Sequence, residues 1–124
     1  MRIKRIKQNG EVIAVIEAAD VIITDVQSAL DLMATVRYEV GCDCIAIPKS
    51  AVVEDFFVLS TGIAGDILQK FVNYQCKLAI FGDYSYYTSE PLRDFMYESN
   101  EGSHIFFAAT EDEAITKLAD AYNG

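Results

Sequence analysis

The sequence predicts one α/β domain, residues 1–124, built on a mixed, largely parallel sheet with helices in the order ββαβ(α)αβαβα. Three observations predict it. Short apolar runs at residues 44–47 (CIAI), 76–81 (CKLAIF) and 104–108 (HIFFA) mostly lack polar alternation, as strands do when both sheet faces are covered. Apolar residues at helical spacing separate these runs, which implies parallel neighbours joined by right-handed crossovers. Ahead of them, Asn9-Gly10 between two short segments is a hairpin turn signal and supplies the antiparallel part.

Taken in order, residues 2–7 alternate charged and apolar side chains, with Ile3 and Ile6 out of strict phase, and residues 12–16 return from the turn. Residues 20–23 read either as a strand end or as an extended lead. Thr24 with Gln27 predicts a capping box, followed by Val26, Leu30, Met33, Val36 and Val40 at helical spacing until Gly41. Pro48 stops the central strand, and residues 51–59 carry no clear period. From Gly62 to Tyr74 the positions of Ile63, Ile67, Leu68, Phe71 and Val72 mark a second helix. A tyrosine-rich link, residues 84–89, leads to a third helix opened by Thr88 or Ser89, with Pro91 in its first turn and Gly102 past its end. Thr110 with Glu113 caps a terminal helix carrying Ala114, Ile115, Leu118 and Tyr122.

Ten basic against nineteen acidic residues give a net charge of −9, which repels nucleic acid and anionic membrane surfaces alike. Neither is an expected partner. With no long apolar run and no basic-then-apolar start, the expected setting is the cytoplasm. Cys42, Cys44 and Cys76 are an odd number, and Cys42-x-Cys44 lacks the second close pair of a structural zinc site, so buried thiols and no metal or cofactor are expected.

Two family resemblances bear on function. A hairpin, then alternating helices and strands, with Leu59-Ser60-Thr61-Gly62-Ile63 opening the second helix, resembles the STAS domain of bacterial anti-sigma-factor antagonists. In that family an Asp-Ser-Ser-Gly pattern sits at this point and its second serine is phosphorylated. The resemblance implies Thr61 as phosphoacceptor with Ser60 beside it, although Leu59 stands where the family has aspartate. Over nearly its whole length the chain also resembles a bacterial domain family of unknown function, through ITDVQSALDLMATVRYE, EDFF, GDILQKF and LRDFMYESN. That resemblance implies a bacterial single-domain protein and assigns no activity.

Ligands of open α/β sheets bind beyond the carboxyl ends of the parallel strands, and those ends supply Lys49, Ser50, Asp83 and Tyr84. Lys49, Ser50 and Asp83 would serve a small hydrolase, since a serine needs a neighbour able to take its proton. No G-x-S-x-G elbow is present, however, and His104, the only histidine, begins a strand and so belongs at the far end of the sheet. Tyr84, Tyr86 and Tyr87 would stack on a ligand, centre a protein contact, or fold onto their own domain. Arg93 near the third helix start either reaches the same rim or pairs with Asp94 in solvent. Glu54 and Asp55 offer a divalent ion fewer oxygens than it usually takes, so a solvated turn is the simpler reading. Lys49, Ser50, Gly62, Asp83, the three tyrosines and Arg93 are the binding candidates, and Thr61 and Ser60 the regulatory ones. A protein-binding or signalling module without catalysis, free to self-associate, is the leading expectation. The small enzyme is the alternative.

Overall fold

Asn9 and Gly10 both take positive φ, 53° and 82°, the geometry of a two-residue turn whose twist matches the strands it joins. It pairs β1 (Arg2–Gln8) with β2 (Glu11–Glu17) antiparallel, in register from Gln8↔Glu11 to Arg2↔Glu17. The computed structural model describes residues 1–121. From β2 onward every strand pairing is parallel: β3 (Cys44–Pro48) lies beside β2, β4 (Lys77–Phe81) beside β3, and β5 (Ile105–Ala108) beside β4. The sheet order therefore follows the chain, β1-β2-β3-β4-β5. Mixed α/β architecture with a largely parallel sheet is what the apolar runs predicted.

Alternation along each strand separates two cores. Ala14, Ile16, Ile45, Ile47, Leu78 and Ile80 face α1 (Val26–Glu39), α2 (Ile63–Asn73) and α3 (Glu90–Glu101). Their neighbours Ile13, Val15, Cys44, Ala46 and Ala79 face α4 (Glu111–Asp120). Hairpin side chains clasp that last helix: Lys4 Nζ donates to Glu111, Gln8 to Thr116 and Asn9 to Asp120. Among the described residues no helix is long and apolar enough to cross a membrane.

Several local expectations change. The cap of α1 is Asp25, whose carboxylate accepts the Ser28 N–H while Ser28 Oγ accepts the Asp25 N–H, so the box is Asp25/Ser28 and not Thr24/Gln27. Thr24 also donates its N–H to Ser28 Oγ. Residues 20–23 end in a single parallel bridge, Ile23↔Val52, that ties this lead to the segment after β3. That segment is a chain of 3-10 turns, Lys49–Ala51, Glu54–Phe57 and Leu59–Thr61. On α2, Val72 points outward and Ala64 takes the inner place. Ser89 and Thr110 cap α3 and α4. Tyr122 lies outside the described residues.

The outer edge of β5 is closed by a side chain. Asn100 Oδ1 accepts the Phe107 N–H at 2.7 Å and Asn100 Nδ2 donates to the Phe107 carbonyl at 3.2 Å, so the amide stands in for a further strand. Replacing Asn100→Ala leaves both backbone groups unpaired in a partly buried place and is expected to cost about 1–3 kcal/mol. Urea denaturation checks this; an unchanged midpoint would show the clasp to be without weight.

Candidate functional site

The carboxyl ends of β3 and β4 open into turns that bring Lys49, Ser50, Gly82, Asp83 and Tyr86 around one open hollow of about 360 Å³. Gly82 makes this possible. A Cβ there would stand 2.7 Å from Lys49 Cβ, so only glycine lets the lysine stem run across the end of β4. From that track Lys49 carries its ammonium over three rings, with Nζ 5.3 Å from the Phe57 centroid, 5.0 Å from Tyr86 and 4.8 Å from Tyr87. Nζ donates to the Tyr86 hydroxyl at 2.6 Å and lies 3.7 Å from Glu54 Oε2, while Tyr87 donates to Glu54 Oε1 at 2.6 Å.

This arrangement is an aromatic cage closed by a carboxylate and filled by the protein's own cation. The Lys49 side chain retains 12% of its free exposure, against 65% for Glu54. Burial works against the ammonium, yet the Tyr86 and Tyr87 hydroxyls and Glu54 outweigh it and hold Lys49 above its ordinary range. Burial, then the bond to Glu54, pushes the Tyr87 phenol up as well. At neutral pH the cage therefore holds a charged Lys49 and a neutral Tyr87.

Tyr84 belongs elsewhere. Its hydroxyl donates to the Ile80 carbonyl at 2.8 Å and its ring packs on Phe57 and Phe107, so it is half-buried against the core and borders a second hollow, beside Asn100 and Phe107, away from the cage. Burial raises its phenol above the usual value. The Asp83 carboxylate accepts the Ser85 N–H at 2.9 Å, which stiffens the turn after β4, and the Ser85 hydroxyl together with that N–H lowers its pKa. Arg93 Nε donates to the Tyr87 carbonyl at 3.3 Å and forms no ion pair with Asp94 among the described residues. Arg93 thus fastens the tyrosine loop to α3.

Around the corner from the cage lies an open groove of about 550 Å³ between the turns at residues 57–60 and the link at 86–92, walled by Phe57, Val58, Leu59, Ser60, Tyr86 and Tyr87. Tyr86 borders both hollows. Val58 and Tyr86 are exposed, 48% and 61%, so apolar surface faces water here. Ser60 is exposed and its hydroxyl makes no hydrogen bond among the described residues. Thr61 differs. Its Oγ1 lies 2.9 Å from the Val58 carbonyl and 3.0 Å from that of Asp55, and it accepts the Ile63 N–H, locking the turn. Gly62 follows at φ 78° and begins α2 with no side-chain cap of its own, and the first amide of the helix, Ile63 N–H, is taken by Thr61.

The expected rim thus assembles from Lys49, Ser50, Asp83 and Tyr86, joined through Tyr86 to Ser60 and Tyr87. Tyr84 is drawn against the core. Sequence reasoning missed Phe57 as the floor of the cage and Glu54 as its closing carboxylate, because residues 51–59 carry no period. Adjacent Phe56-Phe57 beside an acidic pair was the available signal.

The profile of the family described as a domain of unknown function, DUF4180, matches residues 8–118. The chain belongs to that family. The match runs from the hairpin into α4, so the cage and groove of this DUF4180 chain lie wholly within the family's span. No curated protein and no solved structure matches the chain.

Lys49 holds its proton, and His104 stands before β5 at the opposite end of the sheet, in contact with Ser103.

Proposed function

We propose that the chain is a small bacterial, cytoplasmic binding module of STAS-like character, docking a protein partner at the groove between residues 57–60 and 86–92 and performing no catalysis of its own. One observation carries this reading: the basic group at the rim, Lys49, is spent inside the cage, and what the adjoining groove offers outward is apolar surface beside a Ser60 hydroxyl that makes no hydrogen bond among the described residues. Interfaces are enriched in tyrosine and depleted of lysine at their centres. The element order and the place of Ser60-Thr61-Gly62 before α2 support the likeness to anti-sigma-factor antagonists.

Regulation then falls to Ser60 before Thr61, whose hydroxyl is already committed to the turn. A phosphate on Ser60 would add about −1.5 to −2 charges beside Glu54, Asp55 and Asp66 and would have to be desolvated under a docked partner. Partner release without unfolding is the expected consequence.

A photo-crosslinking residue placed at Tyr86 and, as a control, at Tyr38, which is 90% exposed, tests this in the producing cell. One discrete adduct from position 86, absent from position 38, retained in Ser60→Ala and lost in Ser60→Glu is expected. Equal adducts from both positions, or an adduct indifferent to Ser60→Glu, would contradict the proposal.

A further inference from the structure

The two edges of the sheet are treated differently. On β5, Asn100 satisfies both outward groups of Phe107. On β1, which is longer, nothing among the described residues does so. Its two-residue turn sets Gln8↔Glu11 as a hydrogen-bonded pair, and the alternation of an antiparallel ladder then makes Ile6, Lys4 and Arg2 the residues bonded to β2. Ile3, Arg5 and Lys7 therefore aim their N–H and C=O groups away from the sheet, and among the described residues no backbone group meets them.

The same strand concentrates charge. Four of the ten basic residues lie on it with no acidic one, leaving six basic against nineteen acidic residues for the rest of the chain. Lys4 pairs with Glu111 and Arg2 approaches Glu17, whereas Arg5 and Lys7 are exposed and form no ion pair among the described residues. Lysine on an edge strand normally guards against pairing. Here it guards selectively: a second copy laid antiparallel on β1 would set Arg and Lys against Arg and Lys, while an acidic strand would neutralise them. The acidic remainder of the surface would repel that same strand everywhere else.

We propose that β1 is a strand-addition site for an extended acidic segment of another protein, held by the backbone groups of Ile3, Arg5 and Lys7 and selected by the charges of Arg5 and Lys7. This site is separate from the groove and does not rest on the function proposed for it. Main-chain bonds supply affinity in such recognition and side-chain charge supplies choice and register.

The test titrates isotope-labelled protein with three probes: a short acetylated peptide alternating Glu and Val, its counterpart alternating Lys and Val, and oligothymidylate. With the acidic peptide, slowed hydrogen exchange at the amides of Ile3, Arg5 and Lys7 is expected, with shifts confined to the hairpin. Binding should weaken about tenfold on raising salt from about 50 to about 300 mM. Arg5→Pro removes an outward donor together with one of the two selecting charges but no bond to β2, so it should keep the fold and abolish the protection. Should that variant unfold, exchange at Arg5 and Lys7 in the wild type still decides. No protection with the acidic peptide, equal protection with the basic one, unchanged affinity in a folded Arg5→Pro, or tighter occupation of β1 by oligothymidylate would each overturn the proposal.

Discussion

Phe57→Ala is expected to destabilise the protein by about 3–5 kcal/mol, the largest effect of any single truncation at the rim. Phe57 is 3% exposed and is the ring that other groups share. It meets Phe56 at 5.0 Å, Tyr87 at 5.5 Å and Tyr84 at 5.9 Å between centroids, and Lys49 sits over it. Removing it empties the floor of the cage and frees the tyrosine link at once, so the cost includes a cavity as well as lost transfer energy. A single domain has only about 5–15 kcal/mol in reserve. Phe57→Leu, which keeps most of the volume, should cost much less, about 1.5 kcal/mol. Denaturant midpoints for the three proteins check the series. A loss below about 1 kcal/mol for Phe57→Ala would mean that the turns at residues 54–61 pack independently of the sheet.

A steep loss of stability above about pH 10 is the second expected result. Lys49, Tyr84 and Tyr87 all have folded pKa values raised above their ordinary ones. For each, the stabilisation is complete below the unfolded value, about 10.4 for lysine and about 10 for tyrosine, and is lost as pH rises through the folded value. Each group then contributes up to about 1.4 kcal/mol of loss per pH unit in that window, less where water reaches it. Tyr84→Phe separates the contributions. At neutral pH it should cost about 1 kcal/mol for the bond to the Ile80 carbonyl. Above pH ~10 the variant no longer carries a phenol that ionises on unfolding, so its deficit should shrink. Thermal melts from neutral to strongly alkaline pH measure both. A constant difference between the two proteins would show that Tyr84 ionises as easily folded as unfolded.

Much of the architecture was legible because it rests on local signals. Continuous apolar runs such as CIAI and IFFA marked the buried parallel strands, and Asn9-Gly10 marked the hairpin. The start of α1 was misassigned by one residue because Thr24, Asp25, Gln27 and Ser28 offer two overlapping boxes; the helix begins at Val26, so Asp25 is the residue placed to cap it. Residues 49–61 were opaque for a different reason. Three short 3-10 turns impose no apolar period, and what fixes them is the bridge to Ile23 and the hydroxyl of Thr61. The cage needed information the sequence does not display: Lys49 and Tyr86 are 37 positions apart, and their meeting depends on the missing side chain of Gly82. Asn100 closing the β5 edge was hidden likewise, since a helix asparagine advertises no strand partner.

The central claim is that Lys49 is a locked structural cation at a binding rim and not a poised catalytic amine. Carbon-13 labelling of lysine and an NMR titration of the Lys49 side chain, assigned by its loss in Lys49→Met, tests this most directly. The account predicts that the Lys49 signal stays in its protonated position past about pH 10.4, the ordinary value of a lysine side chain. A midpoint near neutral pH, where a lysine acts as base or nucleophile, would contradict it.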